Sequence, residues 1–263
     1  MDVREDLFRD ISSRRVRFRV TAQQPGILAG MERLLARATE IGLEVHGAAC
    51  EGQALEPGSV VLDAGGSPLQ IATAEESLVG VIAKPSGIAT AARRAVETAA
   101  GAKVVSGAWK KMPPELKEVV RHAVRVGGAT PRITDEPFVY LDKNFVRMLG
   151  GVGAAVRAAR RLPGRLVAVQ IRGETGRIGD EAVEGATCGA AVLMVDTGNE
   201  VDLTAANAAL ERTGLRSRVR LAFGGGVTLD RIPTLVSIGA DILDIGTGIV
   251  DAPILDFRLD VIG

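Results

Sequence analysis

RLAFGGGVTLDRIPTLVSIGADILDIGTG, Arg220 to Gly248, carries the pattern that sets the fold. An apolar run ends in three glycines, a segment of helical spacing follows, and a second apolar run ends in Gly-Thr-Gly. Both runs are continuous rather than alternating, as expected of strands covered on both faces of a parallel sheet. The same beat extends outward. KVVSGA (103–108), FVYLD (138–142), LVAVQI (166–171) and AAVLMVD (190–196) alternate with helical segments such as PELKEVVRHAVRV (114–126) and GVGAAVRAARRL (151–162). Six such strands in succession predict a barrel or an open barrel-like sheet. Neither a GxGxxG after the first strand nor a P-loop is present, which counts against the nucleotide-binding alternatives.

The chain begins differently. From Val16 to Ser67, short alternating runs (VRFRVTA, LEVHGAA, SVVLDAG) are separated by the turns QQPG and LEPGS and surround one helical segment, MERLLARATEIG. That is an α+β module. A long helical stretch follows, from Ala72 to Ala100. Pro85 inside it cannot donate to the helical ladder, so a kink or break is predicted there.

Thirty-two acidic residues balance thirty-two Lys plus Arg, so no global field attracts nucleic acid or an anionic membrane. Cys50 and Cys188 belong to no CxxC pair and read as ordinary reduced thiols. The N-terminus lacks the apolar core of a signal peptide, and no apolar run approaches the ~18–20 residues of a membrane span. A soluble cytoplasmic protein is expected.

In barrels of this kind ligands bind where the strands end, so the residues just after each strand are the candidates. They are Trp109, Lys110 and Lys111, then Asp142, Lys143 and Asn144, then Gln170 and Arg172, then Asp196 and Asn199, then Gly224, Gly225 and Gly226, and last Gly246, Thr247 and Gly248. Each has a plainer reading. Paired lysines make a solvated face, an Asp after a strand caps a helix, and a glycine turn is often only a turn. Their shared position at strand ends points instead to a site for a polyanion.

Several segments resemble the quinolinate phosphoribosyltransferase (nicotinate-nucleotide pyrophosphorylase) family. TAEESLVGVIAKPSGIAT (73–90) is similar to that family's Arg-x-Ser-Gly-Ile-Ala-Thr segment, and PGILAG (25–30) to its GxLAG. LEPGSVVLDAGG, WKKMPPELKEVVRHAVRVGG, MVDTGN and the closing GGGVTLDRI…GADILDIGTG…LDFRLD parallel further family segments, so the likeness spans essentially the whole chain. It implies an N-terminal α/β sandwich followed by an open α/β (TIM-like) barrel. The expected domains are 1–102, joined by the tail 253–263, and 103–252. It also implies a homodimer that uses Mg²⁺ and phosphoribosyl pyrophosphate to convert the ring acid quinolinate into nicotinate mononucleotide, carbon dioxide and pyrophosphate.

Carried over by position, the resemblance assigns the acceptor carboxylates to Lys84, Lys110, Lys111, Arg132 and Lys143. Lys111, Asp196 and Gln170 fall on catalytic positions, with Asp196 also a weak or indirect Mg²⁺ contact. The 5′-phosphate goes to Gly224, Gly225, Gly226, Gly246, Thr247 and Gly248. The departures are pointed. Lys84 and Lys110 stand where the family has arginine, which removes bidentate carboxylate recognition. Pro131 and Val250 replace histidines, and Asp142, Lys143, Asn144 and Phe145 stand in place of Lys-Asp-Asn-His. Gln170 replaces a carboxylate. His46 and His122 lie outside the matched site. Two other readings follow: an altered paralogue or pseudoenzyme that binds a phosphorylated ligand, and a lyase in which Lys84 or Lys110 forms a Schiff base.

Overall fold

The computed structural model of the chain describes residues 3–262. Along the chain run α1 (Val3–Leu7), β1 (Val16–Ala22), β2 (Gly26–Ile27), α2 (Met31–Ile41), β3 (Glu44–Ala48), β4 (Ala54–Leu55), β5 (Val60–Gly66) and the long α3 (Pro68–Thr98). Then come β6 (Lys103–Val105), α4 (Pro114–Val126), β7 (Phe138–Leu141), α5 (Lys143–Leu149), α6 (Val152–Ala159), β8 (Leu166–Ile171), α7 (Ile178–Thr187) and β9 (Val192–Asp196). The order closes with α8 (Glu200–Arg212), β10 (Arg220–Gly224), α9 (Ile232–Ile238), β11 (Ile242–Asp244), α10 (Thr247–Val250) and β12 (Phe257–Ile262). Among the described residues, no helix is long and apolar enough to cross a membrane. Cys50 and Cys188 are free thiols.

These elements form two compact units. The first holds the residues up to Arg93, Met112–Gly128 and those from Asp251 on; the second holds Arg94–Lys111 and Ala129–Val250. The sequence placed α4 within the 103–252 barrel segment, but it packs with the first unit. Its buried stripe of Val120, Ala123 and Val124 would suit either. Gly127 at its end settles the matter: a Cβ there would lie 2.4 Å from the Ala89 carbonyl of α3, so glycine permits the two helices to cross closely.

In the first unit, β12-β1-β5-β3 make an antiparallel sheet. The alternation of VRFRVTA sends Phe18, Val20 and Ala22 into the core. Arg17 and Arg19 take the other face and meet Asp63 of β5 at 2.5 and 2.8 Å. Arg17, and after it Arg19, holds the Asp63 carboxyl down at about 2.

Helix α3 is not broken at Pro85. The carbonyl that Pro85 leaves without a helical donor is that of Val81, and Gly30 lies against it: a Cβ at Gly30 would sit 3.0 Å from that oxygen. The carbonyl of Ala83 accepts from the Leu255 N–H at 2.9 Å. The Ser-Gly-Ile-Ala-Thr segment works by packing. Ser86 Oγ accepts from the Ala29 N–H and Thr90 Oγ1 from the Ile27 N–H, each at 2.9 Å. Two of the segments that carry the family likeness therefore hold each other. Gly87 admits the C-terminal tail, since a Cβ there would lie 2.0 Å from the Pro253 carbonyl oxygen.

The second unit is the parallel sheet β6-β11-β10-β9-β8-β7, open between its edge strands and matching the βα beat of the sequence. Val105, Ala168, Val192, Met194, Ala222 and Ile242 pack on its inner face with Phe138 and Tyr140 beside them.

Gly87→Ala is expected to lower stability by about 3 kcal/mol, the upper end for overpacking a fitted site. Urea unfolding measures it, and an unchanged midpoint would show that the tail does not lie on α3.

Candidate active site

Side chains two apart on a strand share a face, so the inner-face residues fix what lies above them at the strand ends. Above Ile242, Ala222 and Met194 come Asp244, Gly224 and Asp196, which the parallel register sets side by side on three adjacent strands. Gln170 lies level with Met194 on the next strand, and Tyr140 level with Ala168 on the edge. Gly224 leaves a gap between two carboxylates. A Cβ there would stand 3.3 Å from Asp196 Oδ1 and 3.5 Å from the Asp244 Cβ.

The two aspartates are held differently. Gln170 Nε2 donates to Asp196 Oδ2, Arg172 donates to the same oxygen at 3.1 Å, and Arg172 also reaches the Asp196 carbonyl. The Gln170 oxygen accepts the Lys143 N–H at 2.6 Å. Asp244 Oδ1 accepts the Gly107 N–H at 3.0 Å. Burial at the barrel mouth pushes the Asp244 carboxyl up; Asp196 pushes the same way, while the Gly107 amide, Lys110 and Lys111 pull it back. Tyr140 is raised by burial and then by Asp244, Asp196 and Asp142.

Two cations lie on aromatic rings of β7, one from the segment after β6 and one from the loop before β7. The Lys110 ammonium stands 5.0 Å from the centre of the Tyr140 ring, and the Arg132 guanidinium 5.2 Å from that of Phe138. Aromatic faces attract cations, so these rings position two of the predicted acceptor contacts. Trp109 Nε1 donates to the Pro131 carbonyl at 2.9 Å, drawing the segment after β6 and the loop before β7 together. Lys111 is exposed. Arg172 itself is aimed by a loop wound around buried Glu181, which accepts the N–H groups of Arg172, Gly173 and Thr175 and the Thr175 hydroxyl at 2.7–2.9 Å.

Other predicted residues have local roles. Asp142 caps α5, accepting from Asn144 and Phe145 N–H at 2.8 and 3.1 Å, and Asn199 caps α8 through the Val201 N–H. Lys143 is exposed at the first position of α5 and touches the site through its backbone N–H. Lys84 lies in the first unit, where its ammonium donates to the Ala252 carbonyl at 2.7 Å. His122, in α4, bonds Glu51 at 2.8 Å, and His46 stands 4.0 Å from Glu44.

The glycine turns divide by task. Gly225 (φ +100°) lets its turn press on the neighbouring one, since a Cβ would come within 2.6 Å of the Gly198 nitrogen. Arg231 staples those turns through the carbonyls of Gly198 and Gly226 at 3.0 and 3.3 Å. Gly226 (φ +74°) faces open space, and only Ala108 Cβ, at 3.6 Å, would meet a side chain on Gly246. Among the described residues, no backbone partner engages the N–H groups of Gly225, Gly226 and Gly246. Thr247 and Gly248 are exposed at the start of α10.

Sequence reasoning missed Asp244, Tyr140 and Glu181, and left Arg172 without a role. A signal for Asp244 exists: it sits two residues after Ile242 in an otherwise apolar strand, hence on the same face.

A carboxyl raised on folding binds its proton more tightly in the native state, so stability falls as pH rises through the window above the ordinary value of 3.8. Asp244→Asn is therefore expected to be more stable than the native protein at pH 7, by about 0.5–2 kcal/mol as when a strained functional site is relieved. The advantage shrinks as pH falls toward that ordinary value, read as the difference in urea midpoints against pH.

Comparison with known proteins extends this picture. Residues 2–86 match the family model described as quinolinate phosphoribosyl transferase, N-terminal domain, and residues 88–260 match its C-terminal domain. The human nicotinate-nucleotide pyrophosphorylase (carboxylating) is 31% identical over 241 residues, covering 90% of this chain and 80% of that one. The probable enzyme of that name from Archaeoglobus fulgidus is 29% identical over 248 residues, covering 92% and 93%. The crystal structure of nicotinate-nucleotide pyrophosphorylase from Pyrococcus furiosus shares the fold, with a TM-score of 0.86 at 21% identity over 98% of this chain and 72% of that one. With both domains matched and the same two-unit fold, the chain belongs to the quinolinate phosphoribosyltransferase family.

Proposed function

We propose that the protein transfers the phosphoribosyl group of Mg²⁺-bound phosphoribosyl pyrophosphate to a ring carboxylic acid, quinolinate in the first instance. The product would be nicotinate mononucleotide, with loss of carbon dioxide. The observation that carries this reading is the strand-end layer Asp196–Gly224–Asp244, with the Lys110 ammonium beside it on the Tyr140 ring. As the bond from the sugar to pyrophosphate lengthens, positive charge gathers on the ribose ring, and a fixed carboxylate beside it lowers the barrier. Asp196 is so fixed by Gln170 and Arg172. The gap at Gly224 gives the sugar room.

Lys110, Lys111 and Arg132 supply charge for the acid's carboxylates. The turns at Gly224–Gly226 and Gly246–Gly248 offer unengaged amides to the 5′-phosphate. Among the described residues, no three His, Cys, Asp or Glu side chains cluster as a metal site. With Asp196 Oδ2 engaged by Gln170 and Arg172 and Asp244 Oδ1 by the Gly107 amide, the donors present do not fit a resident divalent ion; Mg²⁺ would enter with the pyrophosphate, as it commonly binds through substrate phosphates.

The resemblance also leads us to take the working form as a cytoplasmic homodimer in which Lys84 serves the acceptor, in keeping with the two free thiols. Light scattering after gel filtration tests the assembly, and a monomer removes that part.

Pyrophosphate release from phosphoribosyl pyrophosphate and quinolinate tests the activity itself. Asp196→Asn is expected to lower kcat by about 10²–10³, and Lys110→Ala to raise KM for the acid with a smaller change in kcat. Binding of both substrates without pyrophosphate release would sink the transferase reading and leave a binding protein.

A further inference from the structure

Gln170 is buried, and it bridges two groups of opposite polarity: its amide nitrogen donates to Asp196 Oδ2 and its oxygen accepts the Lys143 N–H at 2.6 Å. The reversed amide would set donor against donor and oxygen against carboxylate, so the two contacts fix the orientation together. Arg172 adds a guanidinium to the same Asp196 oxygen at 3.1 Å and is itself braced by Glu174 at 3.5 Å and by the loop on Glu181. Asp196 Oδ2 thus already has one neutral and one cationic donor. Oδ1 lies on the side of Gly224, facing the gap between the two aspartates.

A divalent cation chelated by both oxygens would have to displace the two donors from Oδ2, and one held by Oδ1 alone would have a single protein oxygen beside the Arg172 charge. Mg²⁺ needs a near-octahedral oxygen set. The other carboxylate across the gap, Asp244, already has Oδ1 on the Gly107 amide.

We propose that Gln170 and Arg172 stand at Asp196 in place of a divalent cation: an amide and a guanidinium orient the carboxylate, and Oδ1 is left to accept from a substrate hydroxyl. Gln170 is then a positioning residue, and an amide rather than a carboxylate at this position excludes metal from the substrate-free protein. The exclusion belongs to that substrate-free state and holds whichever phosphorylated ligand the site takes. Its failure would leave the transferase reading standing.

Mn²⁺ serves as the probe, followed by electron paramagnetic resonance on the substrate-free protein. The native protein is expected to leave the spectrum of aqueous Mn²⁺ unchanged. Gln170→Glu, which adds a second carboxylate beside Asp196, is expected to capture the ion about 10–100-fold more tightly than the native protein, the range over which a metal site's immediate surroundings act. Capture is expected to vanish in the Gln170→Glu/Asp196→Asn double variant. Capture by the native protein that Asp196→Asn abolishes would overturn the proposal, as would a folded Gln170→Glu protein that binds no better than native. Circular dichroism reports folding. If Gln170→Glu does not fold, the native protein against Asp196→Asn decides alone: equal weak binding supports the proposal and a difference refutes it.

Discussion

Parallel strands β9, β10 and β11 end at the same height, and their register sets Asp196 and Asp244 on either side of a residue that must be small. Two carboxylates so placed repel each other, and much of the surrounding structure answers that repulsion. On one side Gln170 and Arg172 hold Asp196. On the other the Gly107 amide holds Asp244, with Lys110 and Lys111 acting on its charge, while its proton affinity is still raised by burial. The loop around Glu181, the rings of Tyr140 and Phe138 and the Trp109–Pro131 bond keep these donors in place. A chain selected for stability alone would not keep two acids there; one that must face a developing cation has reason to.

Glycine serves opposite ends in the two units. In the first, Gly87 and Gly127 bring backbones together, and Ser86 and Thr90 satisfy amides of the Pro25–Gly30 segment. The most recognisable motif in the chain is therefore a fastening of α3 to its neighbours. In the second, Gly224 and Gly246 leave space, while Gly225 brings one turn against another. A Cβ at Gly87 would collide with the Pro253 carbonyl, whereas one at Gly224 would stand between Asp196 and Asp244.

Much of this is legible in the amino-acid sequence. Continuous apolar runs ending in glycine or a polar residue predict β6 to β11, and the alternation of VRFRVTA predicts β1 with its buried Phe18 and Val20. What escapes is non-local. The apolar stripe of α4 does not say which unit it covers, because the partner is chosen by Gly127 meeting Ala89. Pro85 reads as a break, because the groups that lie against its turn, Gly30 and Leu255, are far away in sequence. Gln170 reads as a lost charge; its use depends on the Lys143 N–H and Asp196 at once. Asp244 reads as the polar end of a strand, although its parity with Ile242 puts it in the site.

The central claim is that the gap over Gly224, between Asp196 and Asp244, receives a phosphorylated sugar. Calorimetric titration of ribose 5-phosphate into the native protein and into Gly224→Ala tests it most directly. Binding to the native protein is expected, with a loss of at least about tenfold in the variant, equivalent to roughly 1.4 kcal/mol, and an unfolding midpoint little changed. Equal affinity in the two proteins, or no binding to the native one, would contradict it.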